Sequence, residues 1–470
     1  MDSYTNDTQL ADSNSWNHLT LTTDYKERIA YDGNGNIKKY LRNGLGSINT
    51  DMDSFSYRYN YSGAKLINNR LNYVSDAVSP SNYDTDIDDQ SEDNYAYDKI
   101  GNLISDNAEG IDKIKWSVYG KIRQITKHAG ESDEENIFYT YDAAGNRISK
   151  TVAKKILVSD KKHDGGSGND GFITTWYVRD AGGNVLSTYI DTGYNTSYAN
   201  FNNAIDLSET GERLDDVAAD AEFPPDTLHQ NEVYLYGSSR LGSLKTMRNV
   251  EIDQQVWDST EYIGLLDNYA FKSPFIRGNK QYELNNHLGN VLVTISDKKI
   301  PVDDGQYSVD CYRLEDFETY ISYLTCTATQ TSNTPDGLAD YFRPDVITAN
   351  DYYPFGMTMP GRKYDAGNQY RYGFNGQELT LEVEPHSTTA LYWEYDGRIG
   401  KRWNTDPVIK SWESPYSCFS NSPIIHTDPL GDDDYFDSQG RYLGSDNKGT
   451  AVKVITMPLN EIKNLYLKDG

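Results

Sequence analysis

Tyrosines recur at every second position in several stretches of this chain. Tyr57, Tyr59 and Tyr61 alternate with Arg58 and Asn60. Successive side chains of a β-strand point to opposite faces of its sheet, so this spacing places rings on one face and polar groups on the other. The pattern predicts strands with one buried face. The same spacing occurs at Tyr95 and Tyr97 and at Tyr139 and Tyr141.

A short phrase recurs near these tyrosines: Tyr-Asp, two variable residues, and then Gly-Asn. Gly and Asn accept positive φ in tight turns, and an Asp side chain bonds back to nearby backbone amides. Each copy therefore predicts a hairpin turn between two antiparallel strands. The copies are Tyr31-Asp32 with Gly35-Asn36, Tyr97-Asp98 with Gly101-Asn102, Tyr141-Asp142 with Gly145-Asn146, and the looser Asp180 with Gly183-Asn184 and Leu288-Gly289-Asn290.

The spacing of these copies is irregular. The asparagines of successive copies lie 66, 44, 38 and 106 residues apart. A helical solenoid or a propeller keeps a tighter period, so the spacing predicts a wound β-sheet with long inserted loops. The loops are an acidic run at 84–93, a flexible stretch at 161–171 and a stretch at 206–226, within which 208–221 is predicted to be helical.

Composition excludes several classes of protein. The 470 residues include 44 Lys+Arg against 71 Asp+Glu, a net charge of −27 that argues against binding nucleic acid or docking unaided on an anionic membrane. An aromatic content of 13%, with 39 tyrosines, argues against disorder. No apolar run reaches the ~18 residues of a membrane span, and the polar N-terminus lacks the apolar stretch of a signal peptide.

The acidic loop superficially resembles a calcium-binding loop. Asp84, Asp86 and Asp88 alternate as its first ligands would. However, Asp89 stands where such a loop needs Gly, and Tyr95 stands where it needs Glu. The sequence therefore predicts a solvated acidic loop and no metal site.

Other cofactor motifs are missing from the sequence. The three cysteines form no CxxC pair, the seven histidines show no ligand spacing, and there is no phosphate-binding GxxxxGK[ST] loop. We therefore expect no cofactor.

An ordered series of motifs in the C-terminal half carries a specific resemblance. The motifs are Asn286-His287-Leu288-Gly289-Asn290, Asp351-Tyr352-Tyr353-Pro354-Phe355-Gly356, Met359-Pro360-Gly361-Arg362, Tyr370-Arg371-Tyr372-Gly373-Phe374-Asn375-Gly376, Tyr395-Asp396-Gly397-Arg398, Asp406-Pro407, Asn421-Ser422-Pro423 and Asp428-Pro429-Leu430-Gly431. Together with the Tyr-Asp turns, this series is similar to the YD repeats and the Rhs-associated core of Rhs proteins, in the version associated with Bacteroidetes-like bacteria. The resemblance covers roughly residues 25–431.

The resemblance implies a mainly β fold, in which a spiral YD-repeat sheet forms a partial hollow shell closed by the Rhs-associated core. Because the family's shell is built from more repeats, we expect further repeats upstream. The implied division is a polar N-terminal segment (1–24), a YD-repeat β-shell with inserted loops (25–280), the Rhs-associated core (281–431) and the start of a variable C-terminal effector region, apparently truncated (432–470).

The implied function is the shell and delivery portion of a polymorphic toxin, which encapsulates and releases a C-terminal effector in competition between bacteria. The implied partners are the chain's own effector segment, a cognate immunity protein and a secretion apparatus, and the implied location is secreted or on the cell surface. The alternative is a secreted or surface adhesin whose repeats bind cell-surface glycans through exposed rings.

The end of the core resembles a weak aspartyl autoprotease that cuts near Gly431. Matching by residue gives Asp406 and Asp428 as the catalytic pair, in which two close carboxylates share a proton. Trp393 stands where the family has Arg, so we expect a site without the cation that would stabilise the oxyanion. We expect the chain to stay intact or to cleave slowly, and Trp393→Arg with Asp432→Leu to speed cleavage. The cleavage region is Leu430, Gly431 and Asp432.

Overall fold

The structure is a computed structural model. It describes residues 3–6, 19–46, 48–127, 135–155, 170–195, 228–250, 276–304, 307–316, 321–330, 339–367, 370–383, 387–407, 410, 412–428, 431, 435–437, 442–444 and 453–455. The predicted helix at 208–221 and most of the stretch at 161–171 lie outside the described residues.

The described chain consists almost entirely of strands and turns, so the prediction of a mainly β fold is confirmed. Two short 3-10 turns occur at Phe374–Gly376 and Phe419–Asn421. The strands are β1 (Ser3–Asn6), β2 (Leu19–Thr22), β3 (Glu27–Tyr31), β4 (Ile37–Asn43), β5 (Asp51–Ser62), β6 (Lys65–Asp76), β7 (Tyr95–Tyr97), β8 (Leu103–Asp106), β9 (Ile111–Trp116), β10 (Ile122–Lys127), β11 (Glu135–Tyr141), β12 (Arg147–Lys155), β13 (Asp170–Arg179), β14 (Val185–Asn195), β15 (His229–Tyr236), β16 (Arg240–Asn249), β17 (Lys280–Asn285), β18 (Val291–Val302), β19 (Tyr307–Asp316), β20 (Ile321–Gln330), β21 (Tyr341–Tyr352), β22 (Thr358–Asp365), β23 (Glu378–Leu379), β24 (Ser387–Thr389), β25 (Glu394–Asp396), β26 (Lys401–Arg402), β27 (Tyr435–Asp437), β28 (Tyr442–Gly444) and β29 (Lys453–Ile455).

One large antiparallel sheet dominates the described residues. Its strands follow one another in chain order from β7 to β18 and continue to β21 and β22, with the β19–β20 hairpin inserted between β18 and β21. The sheet does not close on itself, because β7 and β22 each pair on one side only within this part of the chain. The sheet runs through position 280, and the proposed boundary there stays a prediction.

A second antiparallel sheet of strands β3 to β6 precedes the large one. Its strand β5 follows the predicted alternation: Tyr57 and Tyr59 are buried, whereas Arg58 and Asn60 are exposed. Tyr61, near the end of the strand, is exposed as well. The period-two pattern thus correctly identified the buried face of this strand.

The main hydrophobic core lies where the two sheets meet the described residues between 374 and 419, here called the core segment. Tyr40 and Phe55 from the first sheet and Ile125 from the large sheet belong to the same buried cluster as Trp393 and Tyr395. Aromatic side chains bury large apolar areas, so this shared cluster is a major stabilising contact between the segment and both sheets. Strands β23 to β26 form a small sheet within that segment.

Among the described residues, no helix combines the length and the hydrophobicity that crossing a membrane would require.

Candidate functional site

The recurring Tyr-Asp phrase folds as a five-residue turn. In one copy, Asp98 Oδ1 accepts hydrogen bonds from the backbone N–H groups of Ile100, Gly101 and Asn102 at 3.0, 2.7 and 2.8 Å. Asn102 Nδ2 donates to Asp98 Oδ2 at 3.0 Å. Gly101 has φ of +108°, a conformation that side chains with a Cβ disfavour. The copies at Asp32, Asp142 and Asp180 repeat the bonds between the Asp carboxylate and the final Asn, and Asn286 supplies the acceptor in the copy that ends at Asn290.

Three further turns share the backbone hydrogen bonds of these copies, although the sequence pattern did not identify them. They span Ser117–Lys121, Tyr353–Met357 and Gly373–Gln377, and each closes with a bond from the first N–H to the fifth carbonyl at 2.7 to 3.0 Å. Each has a glycine with positive φ at its fourth position. In these three turns Ser117, Tyr353 or Gly373 stands where the other copies have Asp. The glycine at the fourth position is therefore the sequence signal that could have identified them.

The Tyr-Asp turns at Asp32 and Asp98 hold the segment 412–428 in place. Asn421 Nδ2 donates to the carbonyl of Gly35 at 3.1 Å, and Tyr416 Oη donates to the carbonyl of Gly101 at 2.6 Å. Gly35 lies in the turn between β3 and β4 of the first sheet, and Gly101 lies in the turn between β7 and β8 of the large sheet. The segment therefore joins the two sheets through their turn carbonyls.

Arg402, on β26, holds the backbone near the end of the core. Its Nη2 donates to the carbonyl oxygens of Tyr392 and Gly431 at 3.0 and 3.1 Å. Its Nη1 lies 3.4 Å from Asp406 Oδ2. Arg402 is buried, so these contacts are shielded from water and bind the Gly431 backbone more firmly than surface contacts would.

Gln377 and Trp393 complete the contacts around this backbone. Gln377 Nε2 donates to the carbonyl of Asp428 at 2.9 Å, while its Oε1 accepts a hydrogen bond from Trp393 Nε1 at 3.1 Å. A Cβ built on Gly431 would lie 2.9 Å from the Trp393 ring, and Gly431 has φ of +82°. Only glycine fits here without strain. We call Gln377, Trp393 and Arg402 with the backbone of Asp428 and Gly431 the exit clamp.

The two predicted catalytic carboxylates lie at this clamp. Asp428 Oδ1 accepts a hydrogen bond from the N–H of Gly431 at 2.6 Å, and Asp406 pairs with Arg402. Burial raises the pKa of the Cys418 thiol to about 12; Arg402 and Lys401 oppose the rise, whereas Asp428 and Asp406 add to it.

Arg402 changes the expected electrostatics of the site. The expectation that the site lacks a cation is wrong, because the Arg402 guanidinium contacts the Gly431 carbonyl and lies 5.3 Å from the Trp393 ring centroid. The cation comes from position 402 instead of position 393. Trp393 instead stacks on Tyr395 at 5.2 Å between centroids. Leu430 and Asp432 lie outside the described residues.

A cavity of about 400 Å³ lies beside the exit clamp and shares Trp393 and Gln377 with it. Arg147 Nε and Asn375 Nδ2 in its lining are buried donors without a hydrogen-bond partner among the described residues. In a chain with a net charge of −27, this lining is locally cationic and favours an anionic occupant. Its charged lining residues are Lys121, Arg147, Arg179, Arg240, Glu378 and Glu394.

Two buried glutamates at this cavity differ in their proton affinity. Burial acts to raise the pKa of Glu378, but Arg371, Lys150 and Arg147 outweigh it and lower that pKa to about 2. Burial raises the pKa of Glu394 to about 7, and Arg147 and hydrogen bonds compensate only in part. Glu378 therefore stays ionised at neutral pH, while Glu394 titrates near it.

No family model and no curated protein matches this chain. Solved structures provide similarities at low identity. A Tc holotoxin pore of Photorhabdus luminescens with a mutation in TccC3 has 15% identity, covers 86% of this chain and gives a TM-score of 0.47. The complexes TcdB2-TccC3-Cdc42 and TcdB2-TccC3 each have 11% identity, cover 88% and 91% of this chain, and give TM-scores of 0.38 and 0.26. The chain spans 13%, 18% and 23% of the length of these three neighbours.

Proposed function

We propose that this chain is the shell and delivery portion of an Rhs-type polymorphic toxin, which encapsulates a C-terminal effector and releases it in competition between bacteria. The exit clamp is the observation that carries the proposal. Gln377, Trp393 and Arg402 come from separate strands and loops, yet Gln377 binds the carbonyl of Asp428, Arg402 binds the carbonyl of Gly431, and the Trp393 ring packs beside Gly431. A carrier needs such a hold where its passenger segment begins.

The joined sheets support the shell role. The segment 412–428 reaches one turn of each sheet, so the sheets and the exit clamp form one packed unit. In this account the effector segment lies beyond Gly431, a cognate immunity protein neutralises it, and a secretion apparatus delivers the protein to the outside or the cell surface.

A bacterial competition assay tests the toxin role. The donor carries the complete coding region, and the recipient lacks both that region and the small gene expected downstream. We expect the donor to reduce recipient survival, and the downstream gene supplied in the recipient to restore it. Equal survival of both recipients would contradict the toxin proposal.

The adhesin alternative predicts a different result. Rings that bind glycans must be exposed and grouped, whereas Tyr57, Tyr139, Tyr177 and Tyr234 are buried and used in packing. Exposed rings do occur, at Tyr119 and Trp176, on different parts of the large sheet. We therefore expect a glycan array probed with the full chain to give no selective signal. Saturable binding to one class of glycan would favour the adhesin.

Self-cleavage is a second candidate activity, and the contacts of Gly431 favour it. One carboxylate of Asp406 and Asp428 would take a proton from water as the water attacks the Gly431 carbonyl, and the other would give a proton to the leaving amine. Arg402 would stabilise the oxyanion on the Gly431 oxygen, which it already contacts. The ion pair of Asp406 and the turn bond of Asp428 restrain both groups, so we expect slow cleavage.

Mass spectrometry of the intact chain tests this activity. We expect a freshly purified chain of full mass, with a product ending near Gly431 that grows on prolonged incubation. Asp428→Asn should abolish the product, whereas the exposed Asp351→Asn should not. A single unchanged mass after incubation would rule out self-cleavage. Trp393→Arg is no longer expected to help, because it would place a second cation in the buried space filled by the indole.

A further inference from the structure

Three aspartates from the first sheet and the loop after it converge. Asp53 lies on β5, Asp76 ends β6, and Asp86 belongs to the acidic loop. One carboxylate oxygen from each lies within 4.8 Å of the others. We propose that Asp53, Asp76 and Asp86 bind a divalent metal ion and that Ca²⁺ fits the site best.

The surrounding structure fixes these carboxylates in place. The backbone N–H of Ser54 donates to Asp76 Oδ1 at 2.8 Å. The loop is anchored just after Asp86, since Ile87 is buried and Gln90 Oε1 accepts the N–H of Val74 at 2.9 Å. Asp86 is therefore half-buried, and the expectation of a fully solvated loop is wrong at this residue.

An unpartnered atom provides an independent indication of a ligand. The Asp53 side chain has 0% exposure, and its Oδ2 pairs with Arg42 Nε at 2.5 Å. Its Oδ1 is buried without a hydrogen-bond partner among the described residues. A buried carboxylate oxygen without a partner is unfavourable, and a bound cation would supply that partner.

The charges of the cluster also favour a divalent ion. Three carboxylates and the Arg42 guanidinium sum to −2, which one divalent cation neutralises. Carboxylates held this close repel one another when they are ionised, and a bound cation would relieve that repulsion.

The ligand set favours Ca²⁺ over Mg²⁺. Three carboxylates converge from three parts of the chain, and Ca²⁺ accepts six to eight oxygens, several of them carboxylates, in a flexible geometry. Mg²⁺ demands a near-ideal octahedron, keeps several waters and usually takes only one or two carboxylates. An all-oxygen set also excludes the soft metals that prefer Cys or His.

Calorimetry of the full chain tests the site. Chain stripped with EGTA is titrated with Ca²⁺, and we expect one saturable site whose affinity for Mg²⁺ is weaker. Asp86→Asn should weaken Ca²⁺ binding roughly tenfold or more. Asp88→Asn is the matched control, since it removes an exposed carboxylate two positions away and should change affinity less than about twofold.

Thermal unfolding separates a metal site from an acidic patch. In EGTA, Asp86→Asn should melt at a higher temperature than wild type, because it removes repulsion between carboxylates. Ca²⁺ should raise the melting temperature of wild type and of Asp88→Asn, but not of Asp86→Asn. No saturable Ca²⁺ binding by wild type, or equal losses in the two variants, would overturn the proposal.

Discussion

Arg402 Nη2 donates a hydrogen bond to the carbonyl oxygen of Gly431 at 3.1 Å. The same guanidinium pairs with Asp406, so one buried side chain connects β26, a predicted catalytic carboxylate and the backbone at Gly431. Removing a buried charge partner leaves the other charge unpaired and is costly. Arg402 is therefore the residue on which the exit clamp depends most.

Replacing Gly431 should destabilise the clamp. Gly431→Ala combines positive φ with a collision against the Trp393 ring, so we expect a cost of about 2 to 4 kcal/mol in the free energy of unfolding. Gly63→Ala is the control, because Gly63 also has positive φ but nothing within 4 Å of the new Cβ. It should cost about 1 kcal/mol in urea titrations. Equal costs would show that Trp393 does not crowd Gly431.

The Tyr-Asp turns should depend on their carboxylates. Asp98→Ala removes the acceptor of three backbone N–H groups, and we expect a loss of about 1 to 2 kcal/mol in stability. Asp98→Asn retains one oxygen acceptor and should lose less. Chemical denaturation measures both variants. Similar losses in the two would indicate that charge, and not hydrogen-bond geometry, stabilises the turn.

Glu394 should make stability depend on pH. Its pKa is raised to about 7, so the stability of the protonated form is fully present below about 4.5 and is lost as pH rises through 7. Glu394→Gln should match wild type at low pH and exceed its stability above pH 7 by on the order of 2 kcal/mol. Denaturation across this pH range measures the difference. A difference that does not change with pH would contradict the assignment.

The local parts of the fold could be predicted from the sequence. Alternating tyrosines gave the buried face of β5, and the Asp-to-Asn phrase gave the five-residue turns, because both depend on neighbouring residues. The turns at Ser117 and Tyr353 were missed because other residues replace the Asp. A pattern defined by its side chains cannot find copies that keep only the backbone conformation.

The exit clamp could not be predicted in the same way. Asp406 and Asp428 were found from motifs, but Arg402 reaches Gly431 over 29 positions and Gln377 reaches Asp428 over 51. These contacts depend on how the core segment packs on the two sheets. The aspartate cluster was missed for the same reason, since only Asp86 belongs to the acidic run and its partners lie on β5 and β6.

Hydrogen–deuterium exchange at the Gly431 amide, resolved with overlapping peptides, tests the exit clamp most directly. The N–H of Gly431 bonds to Asp428, and Gln377 and Arg402 hold the carbonyls of Asp428 and Gly431, so we predict slow exchange in the full wild-type chain. In the Arg402→Ala variant this amide should exchange quickly. In the Arg362→Ala variant, which loses only a solvent-exposed ion pair, it should exchange as slowly as in the wild type. Exchange at the rate of an unstructured peptide in the wild type would contradict the account.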